Sequence, residues 1–86
     1  QLVVNADGLS PDAWLRVELV DELEHPIPSY SGNNAAKITQ SGVEVQVRWP
    51  EGKTIRGIEK RLRIRVTFEG PRRDQIRLYA LYLEAE

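Results

Sequence analysis

The sequence predicts an all-β fold, an antiparallel β-sandwich or small barrel formed as a single domain over residues 1–86. Three observations predict it. Apolar and polar residues alternate over several runs of seven or eight residues, the period that puts one row of side chains on each face of a strand. Clusters of Gly, Pro, Asn, Asp and Ser separate these runs and suit turns. No long run carries the 3.6-residue spacing of an amphipathic helix; only Gly57-Ile58-Glu59-Lys60 reads as one helical turn.

The elements follow in order. Gln1 to Ala6 reads as a first strand, closed by Asp7-Gly8 and the loop Ser10-Pro11-Asp12. Trp14 to Val20 is a second, with Leu15, Val17 and Leu19 inward and Trp14, Arg16 and Glu18 outward. Pro26-Ile27-Pro28 makes a bend and Ser31-Gly32-Asn33-Asn34 a turn, before a short strand around Ala36 to Thr39. After Ser41-Gly42, the run Val43 to Trp49 puts Val43, Val45, Val47 and Trp49 on one apolar face and ends at the turn Pro50-Glu51-Gly52-Lys53. Arg61 to Phe68 is the cleanest alternation, with Leu62, Ile64, Val66 and Phe68 assigned to the core. Gly70-Pro71 then turns the chain into a last strand within Gln75 to Glu84. That strand is apolar on both sides, Tyr79, Leu81 and Leu83 against Ile76, Leu78, Ala80 and Tyr82. Such a strand is either central and covered, for instance by the Tyr30 to Thr39 segment, or meets a partner on one side.

Composition narrows the function classes. Twelve Lys+Arg stand against 13 Asp+Glu, a formal charge of −1, where a duplex-binding protein would carry a basic surplus, so no nucleic-acid partner is expected. Cys is absent, which removes disulfides, thiolate metal sites and Cys nucleophiles. His25 is the one histidine, so a multi-His metal centre is excluded as well. Apolar runs are far shorter than a membrane span, and no membrane partner is expected. No signal-peptide pattern opens the sequence. Gln1 is not an initiator and Met is missing, so a piece excised from a longer protein is expected. A domain of this size buries about 60% of its unfolded surface and has little chain left for a deep cleft, which favours a binding or structural module over an enzyme.

The chemistry-bearing residues agree with a non-catalytic reading. His25 sits among acids in Glu22-Leu23-Glu24-His25-Pro26 and reads as a solvated turn residue. A glycosidase carboxylate pair needs a cleft that separates two pKa values. No phosphate loop, zinc spacing or EF-hand spacing is present. Asn5, Asp7 and Asp12 offer oxygen ligands for Ca²⁺, but as turn and cap residues they have a simpler role, and no metal or cofactor is expected. Arg61, Arg63 and Arg65 form a row, with Arg48, Arg72, Arg73 and Arg77 near in sequence. The row suits either a groove for single-stranded nucleic acid or a solvated face with cross-strand partners such as Glu18 and Glu44; the slightly acidic balance favours the latter.

Aromatic residues carry more information. Trp49 and Phe68 share faces with Val and Ile and are assigned to the core. Trp14 has the parity of Arg16 and Glu18, so its indole faces outward unless the strand starts at Leu15 and the ring folds over a sandwich end. Tyr82, with Leu78, falls on the second apolar face of the last strand. Flat rings exposed on a sheet suit the C–H face of a pyranose, and Arg16, Glu18, Gln46 and Arg48, with Glu44 and Arg65, are outward companions able to hydrogen-bond hydroxyls.

The order of these pieces resembles a known module. Leu2-Val3-Val4-Asn5-Ala6-Asp7, Leu15-Arg16-Val17-Glu18-Leu19-Val20-Asp21, Pro26-Ile27-Pro28-Ser29-Tyr30-Ser31, Val47-Arg48-Trp49, Leu62-Arg63-Ile64-Arg65-Val66 and Leu78-Tyr79-Ala80-Leu81 follow one another as they do in the small C-terminal β-sandwich of many bacterial glycoside hydrolases. The resemblance covers nearly the whole chain. It departs at Ser29 and Leu81, where Gly and Phe are usual. It implies a jelly-roll type of sandwich, secretion as part of a larger protein and an accessory role beside a catalytic domain. Trp49, Tyr79 and Tyr30 fall at recurring apolar places of that pattern and read as structural. Trp14 and Tyr82 fall where small or polar residues are usual, which singles them out for ligand contact.

The expectation is therefore a non-catalytic carbohydrate-binding module. It would hold plant-type β-glucan chains through Trp14 and Tyr82, with Arg16, Glu18, Gln46 and Arg48 reading the hydroxyls, and keep an attached glycoside hydrolase on its substrate. Two alternatives are a structural domain that packs on the catalytic domain through Leu78 and Tyr82 without sugar affinity, and a protein-interaction sandwich that uses an edge strand.

Overall fold

The computed structural model describes residues 1–53, 55 and 61–84. Six strands form: β1 (Leu2–Asp7), β2 (Trp14–Asp21), β3 (Ala36–Ile38), β4 (Gly42–Gln46), β5 (Leu62–Glu69) and β6 (Arg77–Leu83). Short 3-10 turns at Pro28–Tyr30, Gly32–Asn34, Pro50–Gly52 and Arg73–Gln75 punctuate them. The expected turn at Gly57 to Lys60 lies outside the described residues. Among the described residues no helix is long and apolar enough to cross a membrane.

The strands make two antiparallel three-stranded sheets, β4-β1-β6 and β3-β2-β5. The arrangement is sandwich-like, because the inward rows of the two central strands meet. Leu2, Val4 and Ala6 of β1 face Leu15, Val17 and Leu19 of β2, and all six are buried in one cluster with Ile38, Val47, Trp49 and Ile76. Each Leu, Val or Ile side chain among them contributes roughly 1.5–3 kcal/mol by leaving water. Only residues 39–41 separate β3 from β4. Four peptide links reach about 14 Å, little more than the ~10 Å between stacked sheets, so these two edge strands lie on one side of the molecule. By the same order β5 and β6 form the other side.

The two sides differ. On the β3–β4 side Trp49 is 2% exposed, its Nε1 donates to the Val17 carbonyl across the sheets at 3.2 Å, and Tyr30 packs edge-on against it at 5.4 Å. On the β5–β6 side apolar residues remain open to water: Phe68, paired with Leu15, is 39% exposed, Leu83, paired with Leu2, is 65% exposed, and Tyr79, at the irregularity beside the Ala6–Leu78 pair, is 64% exposed. The assignment of Phe68 to the core is thus corrected; Phe68 pairs with the fully buried Leu15, but β5 is an edge strand that meets no further strand among the described residues. The reading of the last strand as central and covered fails for the same reason, since among the described residues β6 pairs only with β1. Tyr79, assigned a structural role, projects at this rim. The fourth strand is also shorter than its alternation suggests. It stops at Gln46, although Val47 and Trp49 stay buried beyond it.

Gln1 and Glu84 meet. The Gln1 ammonium donates to the Glu84 carbonyl at 2.9 Å, and the Glu84 N–H donates to the Gln1 carbonyl at 2.8 Å.

Candidate functional site

Trp14 opens β2 with its side chain on the outer face of the β3-β2-β5 sheet, where cross-strand pairing puts Trp14 beside Glu69 and Arg16 beside Lys37 and Thr67. The indole is half-buried. Lys37 Nζ stands 4.1 Å from its ring centroid, close enough for a cation–π contact. Together with Arg16, Asn33, Lys37 and Glu69 it lines a shallow groove of about 230 Å³. The groove exists because the turn at Gly32 is drawn over the sheet: Arg16 Nη2 donates to the Gly32 carbonyl at 2.8 Å, and the Gly32 N–H donates to Glu18 Oε2 at 2.9 Å. Ser31 Oγ anchors the same segment through the Leu19 carbonyl at 2.7 Å.

Glu18 is the hub of this face. Arg65 Nε donates to its Oε1 at 3.2 Å, and Arg16 lies 3.7 Å from its Oε2. Burial works to raise its pKa, but the Gly32 N–H, the Arg65 hydrogen bond and the charges of Arg65 and Arg16 outweigh it and hold the carboxyl below its usual value. The expected role of Glu18 as an open reader of hydroxyls is corrected: it is 6% exposed and fully engaged. Arg16 also reaches Glu69 at 3.6 Å, while its Nε is buried without a hydrogen-bond partner.

The remaining expected site residues lie on the other sheet. Val3 of β1 pairs with Gln46 on one side and Tyr82 on the other, so these two residues flank it on the outer face of β4-β1-β6. Tyr82 is 36% exposed, and its pKa is raised by partial desolvation and by the charges of Glu44 and Glu84. Gln46 Nε2 donates to Gln1 Oε1, and Arg48 Nη2 donates to Gln46 Oε1. The structure therefore brings Trp14, Arg16 and Glu18 together and separately places Tyr82 with Gln46 and Arg48; the two rings do not form one platform. Comparison with known protein families, curated proteins and solved structures finds no match.

Asn33, Lys37 and Glu69, which complete the Trp14 groove, escape sequence reasoning. Parity shows that Lys37 and Glu69 sit on outward faces, but only the strand register shows that both stand beside Trp14 and Arg16. Elsewhere, Asp21 organises the 21–25 turn by accepting the Leu23 and His25 N–H groups, and the His25 N–H bond in particular lowers its pKa. His25 serves that turn, its Nδ1 lying 3.4 Å from Asp21 Oδ2. Asp7 Oδ1 accepts the Gly8 N–H and Ser10 Oγ the Asp12 N–H, both turn-capping contacts. Among the described residues no three His, Cys, Asp or Glu side chains converge to hold a metal.

Proposed function

We propose that this domain is a non-catalytic carbohydrate-binding module, a jelly-roll-type accessory sandwich of a secreted glycoside hydrolase, and that it holds β-glucan-type chains in the Trp14 groove. The observation that carries the reading is the placement of Trp14: a half-buried indole outside the core, bordered by Arg16, Asn33, Lys37 and Glu69, all able to hydrogen-bond hydroxyls. Lys37 occupies one ring face in the free protein. A sugar ring stacking there displaces a flexible ammonium and gains its hydrogen bonds at the groove wall. Tyr82, with Gln46 and Arg48, forms a second and separate contact at most.

Titration of β-glucan, xyloglucan, mannan and xylan against wild type and variants tests this. Trp14→Ala is expected to weaken β-glucan binding about tenfold, the scale of a lost ring contact of about 1.4 kcal/mol. Lys37→Ala is expected to strengthen it about two- to fivefold, because the competing cation–π contact of about 0.5–1 kcal/mol is gone. Unchanged affinity in Trp14→Ala would remove the groove from the site.

A second reading, a domain that packs on its catalytic neighbour without sugar affinity, draws on the open β5–β6 side. The packing residues would then be Tyr79 and Leu83, since Leu78 is already packed against the core.

A further inference from the structure

We propose that the free edge of β5 receives an extended acidic segment of another polypeptide, which joins the β3-β2-β5 sheet as a fourth strand and closes the open side of the sandwich. β5 is eight residues long and pairs only with β2, so its other edge meets no strand among the described residues. A long exposed edge of this kind is a template for strand addition.

The two faces of β5 specify the occupant. Inward, a strand laid beside β5 extends that sheet over β6, and its inward row covers Phe68 and Leu83. Outward, its alternate residues stand beside Arg61, Arg63 and Arg65, all exposed; Arg63 lies 3.7 Å from Glu24 at the surface and Arg65 Nε donates to Glu18, which leaves their remaining N–H groups for incoming carboxylates. Charge is segregated here: between residues 61 and 84 six arginines stand against three acidic residues, although the whole chain carries −1. Carboxylates at every second position therefore fit, with apolar residues between them. A second copy of this chain fits less well: residues 61–69 carry three arginines against one acidic residue, so two copies of β5 bring like charge together, and the register centred on Arg65 sets that residue against itself. Single-stranded nucleic acid would engage the arginines but leave the edge N–H groups and the apolar row unused.

The 86-residue protein is titrated with a synthetic octapeptide of alternating Glu and Val, its Lys/Val counterpart, two copies of the Glu/Val peptide N-methylated on odd or on even residues, and an eight-nucleotide oligothymidylate. Fluorescence anisotropy reads binding and amide hydrogen exchange reads its place. Expected are binding of the Glu/Val peptide with slowed exchange along β5, at least tenfold weaker binding of the Lys/Val peptide, and loss of binding for one N-methylated copy while the other still binds. Arg61→Glu/Arg63→Glu is expected to weaken the Glu/Val peptide at least tenfold with an unchanged melting temperature. No binding of the Glu/Val peptide, equal binding of both N-methylated copies, or tighter binding of oligothymidylate would overturn the proposal. Trp14→Ala should leave peptide binding unaltered, so failure of the β-glucan reading and failure of this one are distinguishable.

Discussion

Glu18 shows how one residue can be read correctly in direction and wrongly in environment. Its parity puts it on the outer face, where a charged residue is expected to be wet. The Gly32 turn covers that position, and Gly32, Arg65 and Arg16 compensate the buried charge. Removing such a carboxylate leaves the Arg65 guanidinium and the Gly32 N–H short of an acceptor and takes a counter-charge from Arg16. Glu18→Ala is therefore expected to cost about 2–3 kcal/mol, a drop of roughly 10 °C or more in melting temperature. The pH dependence has a definite sign. The folded pKa values of Glu18 and Asp21 lie below their unfolded values, so their stabilisation is fully present above about pH 5 and is lost as pH falls through the folded values. Melting curves of wild type should be flat from pH 7 to 5.5 and fall below about pH 4.5. Glu18→Gln/Asp21→Asn should show a shallower acid slope; an identical slope would mean that other carboxylates govern it.

At the scale of elements, alternation located the strands but not always their ends. β2 and β5 coincide closely with two of the alternating runs, the Val43 to Trp49 run holds as a strand only to Gln46, and even the three-residue β3 was visible between its flanking turns. Pairing was not legible, because alternation assigns faces and says nothing of neighbours. The rank of a strand within its sheet decides exposure, which is why Phe68 and Tyr79 look like core residues in sequence and stand at a rim in the structure. The same gap split the expected site: Trp14 and Tyr82 share outward parity but belong to different sheets. Turns depend on local backbone, and their glycines separate into two classes. Gly70, at φ +101°, holds the β5–β6 connection against the β1–β2 loop; a Cβ there would stand 2.3 Å from the Asp12 carbonyl oxygen, which accepts the Arg72 N–H. Gly52, at φ +71°, faces open space. Gly52→Ala is expected to cost about 1 kcal/mol of backbone strain, and Gly70→Ala at least twice as much, compared by urea midpoints.

The whole molecule is asymmetric. Trp49 seals one flank, while Tyr79 and Leu83 leave the other open and arginine-rich. Exposed apolar side chains of this size raise solubility costs without adding to the core. Tyr79→Ser/Leu83→Ser is therefore expected to change stability by no more than about 0.5 kcal/mol while lowering self-association at high concentration, measured by sedimentation. A loss of several kcal/mol would show that these side chains belong to the core after all. The Gln1–Glu84 pairing has a different consequence. Because these two residues hydrogen-bond to each other, the start of β1 and the segment after β6 lie side by side at one doorway on the surface. A unit with this geometry, if placed within a longer polypeptide, would hang from a single surface loop like a bulb, without stretching whatever flanked it.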